Sequence, residues 1–174
     1  MQEAQSKFEE LSGRGVRPRW HLVGHLQTNK VRTALGLFDI IHSVDSMKLA
    51  EVIDRHATAP VPVLIEVNVA GEATKHGFTP DEAASACGKV ASLPHLDVQG
   101  LMTVAPLVAD PQDVRPVFRR LRELRDALRL RHLSMGMTDD FEVAVEEGAT
   151  MVRIGRAIFG PRPDPFEAAR PALD

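Results

Sequence analysis

The sequence predicts an α/β protein built on a parallel sheet, and three observations carry that expectation. Strand-like and helix-like segments alternate along all 174 residues with no run of hairpins, and such alternation means parallel strands joined by crossover helices. Residues 62–70 (PVLIEVNVA) form a β-branched strand apolar on both faces, as strands covered by helices on a parallel sheet tend to be. Residues 132–160 (HLSMGMTDDFEVAVEEGATMVRIGRAIFG) read as strand, short helix, strand. Glycine-containing turns, Ser134-Met135-Gly136 and Arg153-Ile154-Gly155, end the two strands. Backbone N–H groups at such turns, with a helix N-terminus behind them, are how parallel α/β proteins cradle a phosphate.

The elements follow in order. Residues 2–11 are helical, with Ala4, Phe8 and Leu11 spaced for one buried face. Residues 20–26 (WHLVGHL) form a strand, and Thr28 caps a helix to about Leu37. Residues 39–44 (DIIHSV) are the next strand, followed by a helix capped by Asp45 or Ser46 that runs to about Ala57. After strand 62–70, Thr79-Pro80-Asp81-Glu82 spells a capping box with proline at the first helical position, opening a helix to about Ser92. Residues 98–104 (VQGLMTV) are a strand. Asp113 opens a long helix whose Val114, Val117, Phe118, Leu121, Leu124 and Leu128 share a face, while Arg119, Arg122, Arg125 and Arg129 make a solvated outer surface. Strand 132–137, a helix from Thr138, strand 151–154 and a helical tail complete six strands.

A (β/α)8 barrel of the TIM type uses about 250 residues, roughly 30 per unit, so this length matches about six of eight units with the first two strands missing. A doubly wound sheet would place a glycine-rich turn after its first strand, whereas Gly13-Arg14-Gly15 precedes one. With no linker or repeat, residues 1–174 read as one domain. A net charge of −3 offers no basic field for nucleic acid, and no apolar run approaches the ~20 residues of a membrane span. A single cysteine, Cys87, and no signal-peptide pattern fit the cytoplasm, and Cys87 reads as a buried structural thiol.

Five blocks then make a specific resemblance: WHLVGHLQTNK (20–30), IHSVDSMKLA (41–50), VLIEVNVAGEATKHGF (63–78), GLMTVAP (100–106) and LSMGMTDDFEVAVEEGATMVRIGRAIFG (133–160). In this order they resemble the pyridoxal-phosphate homeostasis protein family, single-domain relatives of the N-terminal barrel of alanine racemase. The resemblance implies a cytoplasmic, non-catalytic protein that binds pyridoxal 5'-phosphate and hands it to apo-enzymes. It implies that Ser134, Gly136 and Gly155 hold the phosphate near the helix N-terminus at Thr138. Arg153 would face the pyridine nitrogen, and His21 with Met102 or Thr103 would line the pocket near the ring. An arginine there stays protonated and keeps that nitrogen unprotonated.

The family's Schiff-base lysine lies on the first barrel strand, and MQEAQSKFEE matches the family just after the second. Met1 stands where the family carries valine or a similar residue, as a truncated gene or fragment would show. None of Lys7, Lys30, Lys48, Lys75 and Lys89 sits in the lysine's context, so no covalent or catalytic residue is assigned. A two-base racemase needs a second proton-transfer group, a tyrosine in alanine racemase, and this chain has none.

Other readings weigh less. His21 and His25 lie ~13 Å apart along a strand, too far to share a metal ion, and no metal ligand is assigned. The acidic residues Asp139, Asp140, Glu142, Glu146 and Glu147 read as favourable charges at a helix N-terminus rather than as a catalytic pair. A phosphate-binding barrel enzyme of aldolase or isomerase type would need Glu66 as its strand-end carboxylate. A non-functional fragment would expose two sheet edges and aggregate.

Overall fold

The computed structural model describes residues 2–161. Its strands are β1 (His21–Leu22), β2 (Ile40–Val44), β3 (Val61–Glu66), β4 (Leu96–Met102), β5 (His132–Met137) and β6 (Met151–Arg153). All neighbouring strands pair in parallel, in chain order from β1 to β6. The helices are α1 (Gln2–Gly13), α2 (Val31–Leu35), α3 (Met47–His56), α4 (Pro80–Ala91), α5 (Arg115–Ala127), α6 (Phe141–Glu146) and α7 (Arg156–Phe159).

The sheet is curled, and one bond measures the curl. His42 on β2 reaches Ser134 on β5 at 2.8 Å. In a flat sheet, strands three places apart stand about 14 Å from each other. The two faces therefore differ. The convex face carries Val63, Ile65, Leu101, Leu133 and Met135, packed with Leu49 and Ile53 of α3 and Phe118 and Leu121 of α5. The concave face holds a small separate cluster of Ile40, Leu64 and Met102, joined by Val104 and Met151. Side chains alternate along a strand, so residues two positions on from these share the concave face. His42, Glu66 and Arg153 are such residues, and Ser134 stands in register beside Met102.

Several boundaries differ from expectation. Only His21 and Leu22 of the first strand pair, because β1 has β2 as its sole neighbour and the chain bends away at Gly24. Thr28 caps nothing: residues Thr28–Lys30 form a 3-10 turn, and α2 begins at Val31. The long helix starts later, after a 3-10 turn whose Asp110 side chain accepts from Gln112 N–H at 2.9 Å. The capping box is present as read, with Glu82 N–H donating to Thr79 Oγ1 and Thr79 N–H to Glu82.

The outer arginines are not all simply solvated. Arg115, Arg119 and Arg122 converge on the buried carboxylate of Glu147. Glu146, the last residue of α6, and Glu147, its C-cap, thus pair with α5 instead of standing at a helix N-terminus. The helical tail beyond residue 161 lies outside the described residues. Among the described residues no helix is long and apolar enough to cross a membrane.

Candidate functional site

The concave face carries a continuous polar line. Arg153 on β6 donates from Nη1 to Ser134 Oγ at 2.9 Å and from Nη2 to the Thr103 carbonyl at 2.8 Å. Ser134 Oγ meets His42 Nδ1 at 2.8 Å, and His42 Nε2 meets His21 Nδ1 at 2.9 Å. A guanidinium only donates, so Ser134 Oγ must accept from Arg153. Its one proton then goes to His42 Nδ1. That assignment places the His42 proton on Nε2, from which it is donated to His21 Nδ1, and both imidazoles are neutral.

The electrostatics agree. His42 is pushed down to about 4, chiefly by burial, then by the neighbouring His21, which would repel a second imidazolium, and by the Arg153 charge. His21 is lowered as well, by burial first and then by Arg19. A cation next to Arg153 is disfavoured, so the line stays neutral beyond it. Sequence reading missed His42. A histidine within the apolar strand segment DIIHSV was the available signal, because a buried imidazole must find partners.

Arg153 is held by neutral acceptors, a hydroxyl and a carbonyl. Burial lowers its pKa, and the charges of Asp140 and Glu66 act in the opposite direction. Two of its five N–H donors are taken by described residues, which leaves three for an acceptor on the concave face. Glu66 ends β3 on the same side, pushed up to about 7 by burial and by the Asp45 charge.

The predicted residues divide into groups. His21, Ser134 and Arg153 come together through side chains, and Thr103 joins through its carbonyl. The Thr103 hydroxyl turns away to the Val67 carbonyl at 2.7 Å, whereas Met102 packs on the concave face. Ser134 is fully buried within β5 rather than at a turn, so its hydroxyl serves Arg153 and His42. Gly136 is also buried: at φ +90°, a Cβ there would stand 2.5 Å from Ala144 Cβ, so this glycine lets α6 lie against β5. Gly155 caps α7 in open space.

Helix α6 begins at Phe141, not Thr138, and Asp140 occupies its cap with a carboxylate that accepts from Met137 N–H. A negative charge therefore already meets that helix end. The turns after β5 and β6 do meet: Ala157 N–H donates to Thr138 Oγ1 at 3.4 Å, and Arg156 pairs with Asp139.

Among the described residues no lysine lies on a strand. Lys7, Lys48 and Lys89 are on helices and Lys30 is in the 3-10 turn. Lys75, in the loop after β3, donates to the Val104 and Ala105 carbonyls at 3.3 and 3.1 Å.

Comparison with known proteins places this arrangement. The family model described as the alanine racemase N-terminal domain matches residues 1–163. A protein of Aquifex aeolicus named pyridoxal phosphate homeostasis protein is 48% identical over 171 residues, covering 93% of this chain and 74% of that protein. The structure of PipY from Synechococcus elongatus with PLP bound superposes with a TM-score of 0.80 at 38% identity, covering 91% of this chain and 78% of that one. Alanine racemase from Clostridium difficile shares the fold, with a TM-score of 0.74 at 16% identity over 92% of this chain and 44% of its own. The concave polar line is thus set on the barrel of an alanine racemase N-terminal domain, and the chain belongs to the pyridoxal phosphate homeostasis protein family.

Proposed function

We propose that this chain binds pyridoxal 5'-phosphate on its concave face and serves vitamin B6 homeostasis in the cytoplasm, without a catalytic cycle of its own. The observation that carries this reading is Arg153, a half-buried guanidinium held by neutral acceptors with three donors to spare. Such a donor fits a neutral aromatic nitrogen, and it keeps that nitrogen unprotonated because arginine does not give up its proton. When bound, the cofactor supplies an electron sink, weakened by an arginine partner in place of a carboxylate.

The chain's own residues divide the work. Ser134 fixes the Arg153 guanidinium, and Thr103 fixes it from the other side through its carbonyl. His42 and His21 hold Ser134 in one orientation and keep further positive charge away. Met102 and Ile40 give the ring an apolar floor. Gly155, opening on space beside Thr138, suits the phosphate. Gly136 supports that turn by letting α6 pack closely.

Among the described residues no proton-transfer pair of the racemase kind is present, since they hold no tyrosine and no lysine on a strand. Through these residues the proposed contact with the cofactor is non-covalent, and such a contact is released without breaking a bond. The aldolase or isomerase alternative built on Glu66 draws no support from the relatives.

The test is titration with pyridoxal phosphate followed by absorbance, with borohydride trapping and mass spectrometry. Saturable binding that weakens at least tenfold in Arg153→Ala, with no stoichiometric lysine adduct, is expected. A stoichiometric adduct at one lysine, or unchanged affinity in Arg153→Ala, refutes the reading.

A further inference from the structure

We propose that His25, Asp45 and His76 form a binding site for a divalent transition-metal ion of the zinc class. The three residues come from the segments that follow β1, β2 and β3, on the same rim of the sheet. One ligand atom from each lies within 4.8 Å of the other two.

The geometry suits an ion. His25 Nδ1 stands 2.9 Å and His76 Nδ1 3.9 Å from the same Asp45 oxygen, Oδ2. The two imidazoles stack with centroids 4.2 Å apart. Zinc–nitrogen and zinc–oxygen bonds of about 2.0–2.1 Å in a tetrahedron set neighbouring ligand atoms about 3.3 Å apart. The two separations to Oδ2 bracket that value, and turning the two exposed, stacked rings so that both nitrogens point at one centre completes the set. Two imidazoles and a carboxylate leave at least one position for water, the ligand count of a reactive rather than a purely structural zinc site.

The site is built rather than a chance surface meeting. The Asp45 side chain is only 6% exposed, and its second oxygen accepts from Ser46 Oγ at 2.9 Å. The loop carrying His76 is fixed at both ends. Asn68 Nδ2 donates to the Glu72 carbonyl, and Phe78 N–H donates to the Glu66 carbonyl at 2.9 Å. Gly77, at φ +113°, sits where a Cβ would come within 2.9 Å of the Glu66 carbonyl oxygen, so the loop hugs the end of β3. In the ion's absence, His25 Nδ1–H donates to Asp45; the ion takes that proton's place, and the proton moves to exposed Nε2 or to water. Sequence spacing hides the set, because 20 and 31 residues separate its members in turn.

The experiment is titration of the metal-free full chain with Zn²⁺ in competition with a chromogenic chelator, alongside the visible spectrum of the Co²⁺-loaded protein. One equivalent is expected to bind. His76→Ala and Asp45→Asn should each weaken binding at least tenfold and change the Co²⁺ ligand-field bands. His95→Ala, which removes another imidazole paired with an aspartate, Asp54, should leave both unchanged. His76 is exposed, so its removal leaves the fold intact. Absence of stoichiometric binding, unchanged affinity in His76→Ala, or an equal loss in His95→Ala overturns the proposal.

Discussion

Ser134 Oγ accepts from Arg153 Nη1 at 2.9 Å while giving its own proton to His42 Nδ1 at 2.8 Å, so one hydroxyl couples a cation on β6 to a neutral imidazole on β2. Neither partner can replace the other. Arg153 has no lone pair to offer, and His42 on this line has none to spare once it accepts.

Removing that hydroxyl leaves a buried donor and a buried acceptor without their shared partner. Ser134→Ala should cost about 1–3 kcal/mol of stability, the usual penalty for orphaned buried polar groups. It should also loosen Arg153, weakening pyridoxal phosphate less than Arg153→Ala does. Urea denaturation with the two titrations side by side checks the order. Ser134→Ala binding as poorly as Arg153→Ala would assign the serine a direct contact.

Gly136 gives a prediction of opposite character, because its role is packing. A side chain at φ +90° is strained, and its Cβ would overlap Ala144. Strain and overpacking together should cost Gly136→Ala about 2–4 kcal/mol. Gly155→Ala, where a Cβ meets open space, should be nearly neutral for folding. Thermal or urea unfolding separates the two.

The capping box shows which features a sequence displays openly. Thr79, Pro80 and Glu82 act within one helical turn, so their spacing alone foretold the bonds now seen. Thr79→Ala should cost about 1 kcal/mol, measurable by denaturation.

Strand order was equally legible, because alternation of elements and short connections leave a parallel sheet few arrangements. The pairing of Ser134 with Arg153 was half legible: both were singled out, but as separate turn residues. Their junction with His42 depends on the curl of the sheet, which no local pattern records. The Glu147 clamp and the His25–Asp45–His76 cluster stayed hidden for the same reason. Asp140 shows a different limit. An acidic run after Thr138 promised a helix N-terminus, but which acid takes the cap depends on where the chain leaves β5.

Glu66 and His42 make the last prediction, on pH. Glu66 is pushed up from 4.5 to about 7, so the folded state holds a proton that the unfolded state has lost between those values. Its contribution favours folding below pH 4.5 and fades as pH rises through about 7. His42 is pushed down from 6.5 to about 4, so the unfolded state holds the extra proton between those values. Its contribution is present above pH 6.5 and fades as pH falls through about 4. Between about pH 4.5 and 6.5 the two slopes oppose, each up to about 1.4 kcal/mol per pH unit. Relative to the parent chain, Glu66→Gln should therefore gain stability as pH rises across this window. His42→Asn should lose stability relative to the parent over the same window. Urea midpoints measured from pH 4 to 8 for the three proteins check both signs. Parallel profiles would show that neither group is perturbed on folding.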